Sequence, residues 1–301
     1  MIAVTFPGQG SQKPGMGQEI FSNFDVAKEV FATVSDSTGV DLAALCFETD
    51  EETLRLTQNA QLALFTTSMA AWEVLKSEQT VSPSFFAGHS VGEYAAVVAA
   101  GAISLKDGAK LVQKRGEIMA SAPPGTMAAV LGLDANQLSA ALKNAEGVVV
   151  IANDNCPGQL VISGDAQGVE SGGKLASEAG AKRVLPLNVS GAFHSPLMAE
   201  SAKQMGEFLR SFEWQTPHTP VVSNVQAKGI SDGAVWADLL EKQLQSSVRW
   251  TESIQHMLAA GVETFIECGE GEVLSGLLKR ISKEVKSYAF GTSANLPSFE
   301  G

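Results

Sequence analysis

The alternation of two hydrophobic patterns along the chain most constrains its fold. Short apolar runs, IAVTF at 2 to 6, FFAG at 85 to 88, VVVIAN at 148 to 153, VVS at 221 to 223 and TFIEC at 264 to 268, are separated by longer stretches of helical periodicity. Strands joined through helices need crossover connections, so the pattern predicts an α/β fold with a mainly parallel sheet. Between Gly125 and about Val189 the rhythm changes. MAAVLGL reads as a strand, DANQLSAALKNA as a helix, VVVIANDN and QLVISGD as strands turning at Pro157-Gly158, GVESGGKLASEAG as a helix and KRVLPLNV as a strand. That β-α-β-β-α-β order is the order of a ferredoxin-like unit. The expected organisation is a large α/β domain, 1–123 and 195–301, with a small ferredoxin-like α+β domain, 124–194, inserted in it. The cleft between them is the default ligand site. The tail SANLPSFEG reads as a solvated terminus.

Composition narrows the classes of function. With 45% hydrophobic and 18% charged residues, the chain of 301 can bury a core. Its 21 Lys plus Arg against 33 Asp plus Glu give a net charge of −12, which argues against nucleic acid or anionic membrane as a partner. The longest apolar stretch, Tyr94 to Ile103, is too short to span a bilayer, and the start MIAVTFPG lacks the basic region of a signal peptide. A soluble cytoplasmic protein is expected. Cys46, Cys156 and Cys268 have no disulfide or zinc-ligand spacing and read as small buried hydrophobes. Nothing calls for a metal or a redox cofactor.

Gly88-His89-Ser90-Val91-Gly92 matches Gly-x-Ser-x-Gly between an apolar run and a helical pattern. This is the context of a nucleophile elbow, as in α/β-hydrolase-like domains: glycines allow a sharp strand-to-helix turn that presents the serine hydroxyl. Backbone N–H groups at the new helix N-terminus then face a developing oxyanion. A serine needs a base. Of the four histidines, His89 abuts the nucleophile and either faces away or supports the turn, His218 sits in TPHTP, and His256 lies on an ordinary amphipathic helix. His194, in the turn-rich SGAFHSP where the insert returns to the large domain, is the best base available.

Placing Ser104 to Ala120 on a helical wheel gathers Leu105, Ala109, Leu111, Val112, Ile118 and Met119 on one half, with Arg115 the only charge among them. An inward guanidinium needs an anion, either a structural Asp or Glu or one that arrives with the substrate. The second option suggests an acyl group bearing a carboxylate, held by the planar fork. After IAVTF, the turn Phe6 to Gln12 is open to two readings: a second oxyanion donor, or a phosphate-cradling loop.

GQGSQ at 8 to 12, GHSVGE at 88 to 93, Arg115, GAFHSPLM at 191 to 198, and VETFIECG before a VLSGL helix together resemble the malonyl-CoA:acyl carrier protein transacylases, from Ile2 to about Leu278. The resemblance implies ping-pong acyl transfer with Ser90 as nucleophile and His194 as base. It assigns the backbone N–H groups of Gln9 and Val91 to the oxyanion hole and Arg115 to the malonate carboxylate. A carbonyl of Gln243 would orient His194, and Phe193 would favour malonyl over bulkier methyl-branched groups. The implied partners are malonyl-CoA and an acyl carrier protein in fatty acid synthesis, with no cofactor and a monomeric chain. Gly269-Glu270-Gly271 stands where many members have Gly-Pro-Gly, and Asn155-Cys156-Pro157 where Asn-Ser-Pro is usual. The first departure suggests a flexible charged turn. Because carrier proteins of this family are acidic, docking would need a local basic patch, with Lys182-Arg183, Lys114 and Lys279-Arg280 as candidates. Three alternatives stand beside this reading: an α/β-class serine hydrolase using Asp154 or Asp165, a related transferase serving a polyketide or malonate decarboxylase system, and an inactive carrier-binding scaffold.

Overall fold

A computed structural model describes residues 1–189 and 191–297; Ser190 and residues 298–301 of the expected solvated tail lie outside the described residues. The strands are β1 (Ile2–Phe6), β2 (Phe85–Gly88), β3 (Thr126–Leu131), β4 (Val149–Cys156), β5 (Gln159–Gly164), β6 (Arg183–Pro186), β7 (Val221–Val222), β8 (Gly229–Ile230), β9 (Thr264–Cys268) and β10 (Lys286–Phe290). Six of them form one sheet in the order β10-β9-β1-β2-β7-β8, parallel except for β8. The other four form an antiparallel sheet, β4-β5-β3-β6, the strand order of a ferredoxin-like unit. Sequence pattern found neither β8 nor β10.

Period-2 alternation explains how the parallel sheet is buried on both faces. In β1, Val4 and Phe6 join one apolar cluster while Ala3 joins another across the sheet; β2 does the same with Phe86 and Ala87. Helices Thr57–Glu78 and Leu105–Ala120 cover the first face, and Trp250–Ala259 and Val273–Ile281 the second. The antiparallel sheet divides likewise. Val130, Leu160 and Ile162 pack under its own helices, whereas Met127, Ala152 and Val161 face the main cluster and fasten the small sheet to it. Backbone bonds tie the two parts together: Val248 donates to Ala152 at 2.8 Å and Asp154 donates to Val248 at 3.0 Å. Where the chain passes from one sheet to the other and back, Pro124 and Gly191 form a single antiparallel bridge.

Two expectations need correction. Residues 293–297 are docked and not free in solvent: Leu296 packs on the main cluster, Gln79 Nε2 donates to the Pro297 carbonyl at 2.9 Å, and Ala294 N–H donates to Glu19 at 2.8 Å. The 269 to 271 turn is not loose either. Glu270 is 1% exposed, pairs with Lys13 at 2.8 Å and accepts from Thr292 Oγ1 at 3.1 Å. A buried carboxylate so held fixes its turn through charge where proline would fix it through its ring.

Candidate active site

Because β1, β2, β7 and β9 run parallel, the loops that follow them emerge at one edge, where open α/β sheets place their sites. Phe6 pairs with Gly88, and the His89 N–H donates to Phe6 O at 3.0 Å, which sets the loop carrying Gln9 beside the elbow carrying Ser90. Ser90 has φ +53°, a left-handed conformation that the surroundings must enforce. The flanking glycines are required by close approach. A Cβ at Gly88 would lie 1.9 Å from the Gly92 carbonyl, and one at Gly92 would lie 2.2 Å from Phe6 O. Ser90 and His194 border a cavity of about 360 Å³ that Gln9, Phe193, Met127 and Asn153 also line.

Ser90 Oγ lies 2.8 Å from His194 Nε2, and His194 Nδ1 lies 2.8 Å from the main-chain carbonyl of Gln243. The carbonyl can only accept, so Nδ1 carries the proton and the Nε2 lone pair faces the serine O–H. His194 is itself at φ +58°, anchored by its N–H to Leu244 O at 3.0 Å. Burial first, and the Arg115 charge second, push its pKa down to about 3. The imidazole is therefore a free base at neutral pH. In ¹⁵N-histidine-labelled protein, His194 should keep the neutral Nδ1–H signature down to about pH 5, where an ordinary histidine of pKa about 6.5 is largely charged. A His194 titration centred near that ordinary value would contradict this.

Arg115 is 1% exposed, as its wheel position predicts, on a helix capped by Ser104, whose Oγ accepts from Asp107 N–H at 3.1 Å. Its hydrogen-bond partners are neutral: Gln61 Oε1 at 2.6 Å, Gln243 Oε1 at 3.0 Å and Ser90 Oγ at 3.0 Å. Among the described residues no carboxylate forms an ion pair with Arg115; the buried Glu93 carboxylate acts on it only from farther away. Instead the guanidinium sits 5.4 Å from the Tyr94 ring centroid, and burial lowers its own pKa. A buried cation on neutral partners beside a serine hydroxyl has the chemistry to receive an anion. The Gln9 and Val91 N–H groups donate to no protein acceptor among the described residues, and Val91 caps the helix Gly92–Ala99. Phe193 is buried against Gly191 at the cavity wall.

Sequence reasoning missed several polar residues around this centre. Asn224, just past β7, accepts from Ser90 N–H at 2.9 Å and donates to Gly88 O at 2.7 Å. The rule that strand C-terminal ends carry the site would have singled it out. Gln61 lies in a helix apolar nearly all round and left no periodic signal. His89 Nε2 is 2.8 Å from Asn155 Oδ1, joining the elbow to the antiparallel sheet. Asp154 and Asp165, the acids a hydrolase would need, are engaged elsewhere. Asp154 accepts from Thr251 at 2.5 Å, and Asp165 caps the helix Ala166–Glu178. Among the basic candidates, Lys182 and Arg280 line a separate recess at the Leu131 end of β3, whereas Met127, at the other end, lines the cavity. Lys114 lies 3.7 Å from Glu117. All three cysteines are buried and free, and burial raises each thiol pKa. No described helix is long and apolar enough to cross a membrane, and no three His, Cys, Asp or Glu among the described residues are grouped to hold a metal.

Comparison with known proteins agrees with this geometry. The acyl transferase domain family matches residues 4–293. The malonyl CoA-acyl carrier protein transacylase of Bacillus subtilis is 48% identical over 294 residues, covering 96% of this chain and 92% of that protein. The crystal structure of an acyl carrier protein S-malonyltransferase from Vibrio cholerae superposes with a TM-score of 0.94 at 42% identity, covering 97% of both chains. A malonyl-transacylase solved in complex with its type II PKS acyl-carrier protein gives a TM-score of 0.94 at 39% identity, covering 97% of this chain and 96% of that one. An elbow serine on a buried histidine and a guanidinium on neutral partners, set in a fold shared over nearly the whole length, place the chain in the acyl transferase family, among the malonyl CoA-acyl carrier protein transacylases.

Proposed function

We propose that the protein moves a malonyl group from malonyl-CoA, through an ester on Ser90, to the phosphopantetheine thiol of an acyl carrier protein, supplying units for fatty acid chain elongation. The observation that carries this reading is the contact of one oxygen, Ser90 Oγ, with both His194 Nε2 at 2.8 Å and Arg115 Nη2 at 3.0 Å. A nucleophile with its base suits chemistry through an acyl-serine, and the guanidinium selects an acyl group that ends in a carboxylate.

In the first half-reaction Ser90 Oγ attacks the thioester carbonyl carbon as its proton passes to His194 Nε2. The oxyanion forms against the N–H groups of Gln9 and Val91, donors that need no reorganisation. Collapse breaks the C–S bond, and the leaving thiolate takes the proton back from His194, releasing CoA. The carrier's thiol then gives its proton to His194 and attacks the ester carbonyl, and the proton returns to Ser90 as the C–O bond breaks. Gln243 holds the imidazole with a neutral carbonyl, so the group that orients His194 adds no negative charge beside the malonyl carboxylate. Phe193 narrows the pocket against branched acyl groups, a discrimination of about 1 to 3 kcal/mol per methylene. In this reading residues 124–194 form an insert that walls the pocket against the large domain, 1–123 and 195–301. Side chains and backbone N–H groups supply every step without a cofactor. One chain carries them all, as a monomer would require.

Product identity tests the reading. With malonyl-CoA and a phosphopantetheinylated carrier, malonyl should accumulate on the carrier, and omitting the carrier should leave CoA release slow. Fast release of free malonate without a carrier would instead indicate a hydrolase.

A further inference from the structure

Behind the nucleophile lies a carboxylate that the acyl transfer scheme does not use. Glu93, in the first turn of helix Gly92–Ala99, is 1% exposed. One of its oxygens accepts from the Asn224 backbone N–H at 2.9 Å, and the other accepts from Gln243 Nε2. Among the described residues no Lys, Arg or His forms an ion pair with it. Burial raises its pKa to about 7, against the hydrogen bonds from Asn224 and Gln243 and the more distant charge of Arg115. A carboxylate kept there without a cation is costly, and its neighbours suggest what it does.

The Gln243 side chain has one acceptor oxygen and one donor nitrogen, and all of its contacts depend on which way round they lie. Nε2 donates to Ser90 O at 2.9 Å and to Glu93, while Oε1 accepts from Arg115 Nη2 at 3.0 Å. Ser90 O can only accept, and the Glu93 oxygen on that side accepts from Nε2 as well, so together they hold Nε2 on their side and leave Oε1 for the guanidinium. A flipped amide would set an NH₂ against the Arg115 donor and an oxygen against the carboxylate. The other Glu93 oxygen secures Asn224, whose side chain accepts from the Ser90 N–H and donates to Gly88 O.

We propose that Glu93 is a positioning residue for acyl-group choice: by orienting the Gln243 amide it holds the Arg115 guanidinium against Ser90, and so sets the preference for an acyl group ending in a carboxylate over one ending in a methyl. The inference rests on Arg115 being the receptor for the malonyl carboxylate.

Glu93→Gln tests it, because the variant keeps the shape and replaces an acceptor with a donor. With Oε1 on the Asn224 N–H, its NH₂ confronts Gln243 Nε2 and turns that amide away from Arg115. The ratio of kcat/KM for malonyl-CoA to that for acetyl-CoA should fall by about tenfold or more, with acetyl transfer changed by less than about threefold. A merely structural role would lower both substrates together, and an unchanged ratio overturns the proposal. In a Gln243→Met background no amide remains to be oriented, so adding Glu93→Gln should move the ratio by less than about twofold. A further large fall there would show that Glu93 acts by another route and would also overturn it. Because both substrates are read on one preparation, the active-enzyme concentration cancels in the ratio, which stands even if a variant folds poorly. Arg115→Ala, run in the same assay, separates the two failures. If it leaves the ratio unchanged, the receptor reading fails; if it collapses the ratio while Glu93→Gln does not, Glu93 alone fails.

Discussion

Ser90→Ala should abolish transfer, lowering the rate of malonyl-carrier formation by about four orders of magnitude or more, because it removes the hydroxyl that lies 2.8 Å from His194 Nε2. The substitution keeps the Cβ at an elbow that already accepts one at φ +53°, so the fold and melting temperature should hardly change. It also removes the hydroxyl that now occupies Arg115 Nη2 at 3.0 Å, leaving that donor to the malonyl carboxylate, so malonyl-CoA binding should persist. Calorimetric titration of the variant beside a transfer assay reads both quantities. Residual transfer within about tenfold of the unsubstituted protein would place the nucleophile elsewhere.

Arg115→Ala should reshape substrate choice more than it slows the chemistry. Leaving a buried charge without its partner costs about 3 to 5 kcal/mol, so kcat/KM for malonyl-CoA should drop by about two to four orders of magnitude. Acetyl-CoA brings no carboxylate and should lose less than about tenfold, so the preference between the two narrows or reverses. Arg115→Lys should fall between them, since a lysine keeps the charge but cannot replace the fork that now reaches Gln61, Gln243 and Ser90 together. Steady-state kinetics with both thioesters checks this. An equal loss for each would mean that Arg115 supports the elbow and does not read the acyl group.

Which parts of this site could be read from sequence follows from how each signal arises. The elbow was legible because Gly88 is imposed by a contact four residues on, with Gly92, although Gly92 itself is imposed by Phe6 O from a distant part of the chain. Arg115 was legible because a helix of ordinary amphipathicity makes one inward charge conspicuous. The ferredoxin-like order was legible because its strands and helices alternate at short range with clear turns. The role of Gln243 entered only through resemblance. A main-chain carbonyl bonded to His194 leaves no mark in side-chain pattern, nor does an amide that joins Arg115, Ser90 and Glu93 across more than a hundred residues of sequence. Strand β10, KSYAF, was missed because an edge strand buried mainly at Phe290 shows little apolar alternation. Glu270 looked like a solvent-facing turn residue because its partners, Lys13 and Thr292, come from segments distant in the chain.

The most direct test of the mechanism is the intact mass of the protein after brief exposure to malonyl-CoA, followed by peptide mapping and addition of the phosphopantetheinylated carrier. A single malonyl adduct on Ser90 that disappears as the carrier gains malonyl is the expected result. An adduct on any other residue, or carrier malonylation with no enzyme adduct even when the reaction is quenched within one turnover, would contradict transfer through a Ser90 ester.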